Sequence, residues 1–543
     1  DHRDLHSFPT RRSSDLTASV VVIGSGGFGG GLVGYNTSAI GASYSAGTVS
    51  GPVNGSSTLG GFVGFNLGSI VDSASYASIS GNSNAEIGGF AGYVYALAGA
   101  FYGNVWDSSK AASDVGANSL WSSGAVAVGA GQRTLRTGYS SFDFTQWWDI
   151  QPGETPTLLA FMPNNRFLGQ ADNNWNNARN WSLGHVPLSS ERVTVWMEPL
   201  NSGPVLAAAL SYDNSTVRAA ILDSGTATIK RIDIQDNMVL SGPSTRLTVT
   251  GDTNIGVCDC APTVDIKNGA VMAVNGALVI GGSEVVLPSL NFASGGHLDL
   301  GSGSTLKLNG SDFVLVRDAD QLQAINNDPA GYYAIAVNID AGATSGWNSG
   351  AGFEPLGSSN SFSGFFEGFG HQISNLTINR PTLDGVGLFG KVIDGTVRNI
   401  GVVNASIIGR DNVGAVVGEL QRGSVDSAYA SGSVSGRNAV GGLVGASATY
   451  GEATIANSYS TVAVSGNDGV GGLLGVNWAE PGDGIFGLVE NSYSTGNVIA
   501  NSGLAGGLVG ANFGHIDNSF YDIDAVLING SHQVTEAGIY GGQ

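Results

Sequence analysis

Short phrases of apolar and small polar residues alternate at period two along the chain, as in Arg192-Val193-Thr194-Val195-Trp196, Leu247-Thr248-Val249 and Gly432-Ser433-Val434-Ser435-Gly436. No helical period runs across them, so they predict short strands joined by turns. Between them recurs a core of Gly-Gly-apolar-apolar-Gly, at 30–34, 60–64, 88–92, 441–445, 471–475 and 506–510, with two degenerate copies ending at Gly390 and Gly418. The final glycines lie 30 and 28 residues apart in the first set and 28, 27, 30 and 35 apart in the second. Such a period is that of a solenoid coil, which cannot bury its apolar face alone. The pattern therefore predicts an all-β fold, a parallel β-helix or β-solenoid built from Gly-rich repeats of 28 to 30 residues in two blocks. Stacking puts Leu443, Leu473 and Leu508 in one interior file.

A second phrase follows each core: Ser69 to Tyr76, Ser424 to Tyr429, Ile455 to Ser460, Val489 to Ser494 and Ile516 to Tyr521. Its Asp and Asn residues suit turns, because their side chains bond the nearby backbone, and the glycines of the cores suit corners that need positive φ. Asp72, Asp426 and Asp517 read as one repeat position that elsewhere carries Asn457 and Asn491. The tyrosines Tyr44, Tyr429, Tyr459 and Tyr493 are expected to form an interior file in preference to a sugar-stacking platform.

Composition narrows the class. Of 543 residues 85 are Gly, 12% are charged and 42% are hydrophobic, and 22 basic against 43 acidic residues give a net charge of −21. The balance disfavours nucleic acid as a partner, and the glycines lack the period of collagen. With two cysteines, Cys258 and Cys260, stability is left to packing and backbone hydrogen bonds. These two thiols suit a local disulfide or inert thiols better than a metal. No run of about 18 apolar residues predicts a transmembrane helix.

Residues 1–16, DHRDLHSFPTRRSSDL, back-translate to a sequence that resembles a common short-read sequencing adapter read in frame. They are expected to be an adapter-derived, disordered segment. On that reading the true start of the protein is missing, and the absence of a signal peptide carries no information. The end at Gly541-Gly542-Gln543 is also expected to be cut, because a repeat protein normally closes with a polar cap.

Candidate chemistry is sparse. Val20 to Gly29 matches a strand followed by G-x-G-x-x-G, but the glycines run into the first repeat core instead of a helix, and no acid stands between residues 44 and 56 to hold a ribose. Gly385 to Lys391 satisfies G-x-x-x-x-G-K, yet Val392 stands where a magnesium-binding hydroxyl belongs. The seven histidines, His2, His6, His185, His297, His371, His515 and His532, contain no H-E-x-x-H. Asp522 and Asp524 come nearest to a calcium loop and read better as a solvated turn. Catalytic, cofactor-binding and metal-ligating residues are therefore assigned as none.

The phrase G-G-L-V-G-x-N followed by N-S-Y-S-x-G-x-V resembles the GLUG repeat of bacterial surface and secreted proteins, including filamentous-haemagglutinin-like adhesins. Residues 313–378 resemble the family's lead-in, with Ala319-Asp320-Gln321-Leu322, Tyr332-Tyr333, Asn338-Ile339-Asp340, Phe362 to Ile373 and Leu376-Thr377-Ile378. Residues 142–158, with Trp147-Trp148-Asp149-Ile150 and Pro152 to Pro156, resemble its end piece. From about 166 to 310 the chain differs, opening on Trp175, Trp181 and Pro187 and running through strands that end in Asn268-Gly269, Asn275-Gly276, Gly281-Gly282 and Asn309-Gly310. These phrases resemble passenger segments of autotransporter-like proteins and predict a less regular solenoid, or a sandwich.

The organisation expected is thus 1–16 adapter-derived, 17–165 a first repeat block with its end piece, 166–310 a β-rich autotransporter-like module, and 311–543 a second repeat block. The resemblance implies a non-enzymatic, secreted or cell-surface adhesin fragment that contacts glycans or proteins of a host or neighbouring cell, exported with an outer-membrane partner. Two other readings stay open: a non-catalytic region of a large secreted protease or glycan-active enzyme, and a structural stalk.

Overall fold

Val444–Ser447 lies in parallel register beside Leu474–Asn477, which lies beside Val509–Asn512. The computed structural model describes residues 17–23, 25–95, 101–116, 125–129, 132, 136–139, 142, 148–149, 156–158, 164–196, 219–257, 261–281, 288–447, 451–480 and 485–540. It is nearly all β, a parallel solenoid of about 15 turns. The adapter-like segment, Gly24, Cys258 and Cys260 lie outside the described residues.

In the second block each coil contributes strands to three ladders. One coil runs Asn438–Gly441, Val444–Ser447, Ala453–Ala456, Tyr459–Ser460 and Ala463–Gly466, and each strand pairs with its equivalent one coil on. Leu443, Leu473 and Leu508 are each 0% exposed and share one core. The first block repeats this with Val33, Val63 and Ala91 in register and Phe62 stacked on Phe90 at 4.8 Å. Burying each such aliphatic is worth about 1.5–3 kcal/mol, so the file of interior residues, extended coil by coil, carries the fold.

The core glycines do mark corners, but for a reason the sequence did not suggest. None of the paired glycines of the six full repeat cores has positive φ; in the phrase that follows the cores, Asp72, Ser427, Asn457, Asn491 and Asn518 are left-handed, with φ between 44° and 52°. Close approach is what requires the glycines. A Cβ on Gly472 would lie 2.2 Å from the Gly507 carbonyl oxygen, and one on Gly442 2.1 Å from Ser460 Oγ. The paired glycines thus let one coil settle on the next, with a serine filling what remains: Ser45 Oγ donates to Gly61 O and Ser75 Oγ to Gly89 O, both at 2.7 Å.

That arrangement also corrects the reading of the acidic position. Asp426 pairs with Ala456, which pairs with Glu490 and then Asp517, whereas Asn457, Asn491 and Asn518 occupy the following, left-handed position together with Asp72. The residues read as one repeat position thus belong to two adjacent ones.

Residues 166–310 form a solenoid, not a sandwich. Thr226–Ile229, Arg246–Val249, Val271–Val274 and His297–Leu300 make one parallel ladder, and two further ladders complete the coil. Its pairing is as regular as that of the repeats. Trp175 and Trp181 close one end, their rings 4.6 Å apart and edge-to-face, with Trp181 Nε1 donating to Trp175 O at 2.7 Å. At the other end Thr305–Leu308 turns back antiparallel onto Ser311–Val316 through Asn309 and Gly310, both at positive φ. This is the Asn-Gly hairpin chemistry. The core does not stop there: Ala334, Ala336 and Phe369 of the following segment are buried in the core of the 166–310 solenoid.

Between residues 142 and 158, Trp148–Asp149 pairs antiparallel with Thr157–Leu158, and Trp148 packs on Phe142 at 4.3 Å and Tyr44 at 6.2 Å. Among the described residues no helix is long and apolar enough to cross a membrane.

Candidate functional site

Residue parity decides which side chains a solenoid shows to its surroundings. At the phrase following each repeat core, Ala430, Ser460 and Ser494 point inward and are 0% exposed. Tyr429, Tyr459 and Tyr493 therefore stand on the outer surface, contrary to the interior file expected of them. The bore has no room for a ring at this corner, because the paired glycines earlier in the same coil, Gly442 and Gly472, lie across it against Ser460 and Ser494. Only in terminal coils does an aromatic enter: a Cβ on Gly507 would strike the ring of Tyr521, and one on Gly89 that of Trp106, each at 2.2 Å.

The outer tyrosines form a ladder. Tyr429 stacks on Tyr459 and Tyr459 on Tyr493, each pair with ring centroids 5.0 Å apart and planes within 5° of parallel. Phe520 continues it at 6.2 Å. The first block carries a matching ladder of Tyr35, Phe65 and Tyr93 at 5.2 and 5.0 Å. Rings stacked in this way cover one another's faces and leave edges and hydroxyls to solvent, so a sugar finds no open face along the ladder. Burial pushes the Tyr459 hydroxyl pKa up to about 12, with Tyr429 and Tyr493 adding to it. Tyr44 stands apart from both ladders, half-buried against Trp148.

Ion pairs lie at two other corners. Arg410 bonds Asp384 and Arg437 bonds Asp411 on successive coils, and at a separate corner Arg422 bonds Asp394 at 2.7 Å, with all three arginines exposed. Screened by water, each such pair adds little stability. A deeper network sits in the 166–310 solenoid, where fully buried Arg231 lies 3.3 Å from Asp233 and 3.5 Å from Asp252. Burial pushes the Asp233 carboxyl up, but Arg231, Arg192 and the Asn254 amide outweigh it and hold it below the usual range.

The nucleotide-like motifs are ordinary coil. Gly27–Gly30 is a strand of the first repeat, and Lys391 lies on the strand Phe389–Arg398 with its ammonium 3.7 Å from Glu419. Asp522 Oδ1 accepts the Asp524 backbone N–H at 2.9 Å, a solvated turn. A polar recess of about 370 Å³ opens between Asn291, Asn309, Arg398, Asp426 and Asn457.

Of the histidines, His185 lies 3.4 Å from Glu191, and His532 Nδ1 donates to the Ile523 carbonyl at 2.8 Å. Two others meet across the 310 boundary. His297 and Asp299 project from the outer side of His297–Leu300, whose Leu298 and Leu300 face the core. His371 follows a turn in which Phe369 and Gly370 have φ of 50° and 79°. Phe369 O accepts the Leu298 N–H at 3.0 Å, and a Cβ on Gly370 would lie 2.3 Å from Gly296 O, so the turn sits hard against that strand. The result is a His297–Asp299–His371 cluster with donor atoms within 4.8 Å of one another. His371 is fully buried, and burial followed by the nearby His297 lowers its pKa to about 4. No spacing in the sequence signals this cluster, since its two histidines belong to separate modules.

No protein-family model matches the chain. Halomucin of Haloquadratum walsbyi is 41% identical to it over 197 residues, covering 35% of this chain and 2% of Halomucin. The chain thus spans a small fraction of that relative's length. A solved structure from Bacteroides ovatus, described as that of a candidate immunoglobulin A1 protease, superposes with a TM-score of 0.34 and 22% identity, over 42% of this chain and 82% of that one. A score that low bears on neither fold nor activity.

Proposed function

We propose that this chain is a non-enzymatic rod-forming region of a secreted or cell-surface protein of the GLUG-repeat, filamentous-haemagglutinin-like kind, presenting its coils to glycans or proteins of other cells. The observation that carries the reading is the parallel stacking of coils within each block, which gives repetitive faces in place of a cleft. The similarity to Halomucin supports a place outside the cell. Export with an outer-membrane partner follows from the GLUG resemblance alone.

The purified chain, coupled to fluorescent beads, tests this. Saturable adhesion to cells, competed by free chain, is the expected result. Adhesion no greater than that of beads carrying an unrelated β-solenoid overturns the adhesive role. The stalk reading is then favoured, and the stacked, closed ring faces of the tyrosine ladder already fit it.

A further inference from the structure

A buried histidine whose ring nitrogens both meet acceptors is electrostatically incomplete. His371 Nε2 lies 2.7 Å from the Leu298 carbonyl oxygen, and Nδ1 lies 3.1 Å from Asn338 Oδ1. The Asn338 oxygen is fixed as an acceptor, because it also takes the Gln372 backbone N–H at 2.9 Å. A neutral imidazole has one N–H to give, so its other nitrogen turns a lone pair towards an oxygen. An imidazolium would satisfy both oxygens, but full burial beside His297 opposes that charge.

A cation bound at one of these nitrogens in place of the oxygen that meets it leaves the other nitrogen to donate its N–H, and the conflict is gone. His297 and Asp299 supply the rest of a coordination set on the same side: His297 Nε2 lies 3.6 Å from Asp299 Oδ1, and the two imidazole rings are 5.1 Å apart. The surroundings resemble those that orient metal ligands. Arg246 holds the other carboxylate oxygen, Oδ2, at 3.1 Å, and Gly295 O sits 3.1 Å from His297 Nδ1, fixing Nε2 as the free nitrogen.

From this geometry we infer that His297, Asp299 and His371 bind a divalent transition-metal ion of the zinc class. Two imidazole nitrogens and one carboxylate suit zinc and its neighbours; calcium and magnesium call for shells of oxygen. Two ligands come from the 166–310 solenoid and the third from the lead-in of the second block, so the ion clips one to the other across the boundary. The inference is independent of the adhesive reading.

The test is isothermal titration of zinc chloride into the full, chelator-stripped chain, with calcium chloride as the control. Cys258 and Cys260 are replaced by Ser so that thiols do not compete. One equivalent of zinc is expected to bind, to raise the melting temperature, and to be weakened at least about tenfold in His297→Ala and in Asp299→Asn. Both positions are partly exposed, so these variants avoid the folding risk of changing His371, and circular dichroism of the metal-free proteins checks that they match the parent. No zinc binding by the parent, equal binding by both variants, or calcium binding as tight as zinc overturns the assignment.

Discussion

The backbone N–H of Leu473 donates to the Leu508 carbonyl at 2.9 Å, while both side chains lie wholly inside the solenoid. Leu443 donates to Leu473 in the same way at 2.8 Å. Backbone and side chain thus repeat together from coil to coil, so damage to one interior position is felt by both neighbours. Leu473→Ala should cost about 2–5 kcal/mol, by lost transfer energy plus a cavity. Urea denaturation followed by circular dichroism measures it; a cost below about 0.5 kcal/mol would place Leu473 near the surface.

The glycine contacts predict a contrast between two substitutions of the same kind. Gly472→Ala should destabilise by about 1–3 kcal/mol, as overpacking does, because its Cβ would meet the Gly507 carbonyl oxygen at 2.2 Å. Gly303→Ala meets nothing within 4 Å and should be neutral or slightly stabilising. Equal effects in thermal melts would show that the coils are not in close contact at Gly472.

The tyrosine ladder gives a pH dependence. Tyr459 has its folded pKa raised from 10.0 to about 12, so the unfolded chain releases this proton first. The resulting stability is fully present below the unfolded value and is lost as pH rises through the folded one. Melting temperature should fall from about pH 10 towards 12, and Tyr459→Phe should flatten that fall. Absorbance near 295 nm should show a late-ionising tyrosine that disappears in the variant.

The buried charges of the 166–310 solenoid predict an asymmetry. Arg231→Ala takes the fully buried cation from between the Asp233 and Asp252 carboxylates and should cost about 3–5 kcal/mol. Removing one partner of an exposed pair, as in Arg422→Ala, should leave stability nearly unchanged. Because the folded pKa of Asp233 is depressed, its contribution holds above the unfolded carboxylate value and is lost as pH falls through the folded one. Acid titration of the parent and Arg231→Ala proteins, followed by circular dichroism, compares the two.

Much of the fold was legible because the repeat spacing is itself the coil length, and period-two phrases between turn residues have few other solutions. The side on which the tyrosines stand was not legible. Alternation names two faces without saying which is inner, and a large ring is the natural candidate for a core. The answer depends on how close Gly442 and Gly472 come to Ser460 and Ser494, a contact across the bore of one coil between residues 18 and 22 positions apart in the sequence. The offset between Asp426 and Asn457 was hidden similarly, since the phrases differ by one residue before the aromatic. The cluster of His297, Asp299 and His371 was invisible because it arises where two different solenoids meet, through the left-handed turn at Phe369 and Gly370.

The stacking of adjacent coils is tested most directly by disulfide trapping in a chain with Cys258 and Cys260 replaced by Ser. Tyr459 and Tyr493 are register partners, so their Cα atoms sit at the inter-strand spacing of about 4.8 Å, within disulfide reach. Tyr429 and Tyr493 are two coils apart and beyond it. Oxidation should link Tyr459→Cys to Tyr493→Cys within one chain and leave the Tyr429→Cys/Tyr493→Cys pair as free thiols. Failure of the adjacent pair to link, or equal linking of both pairs, would contradict the stacked-coil structure.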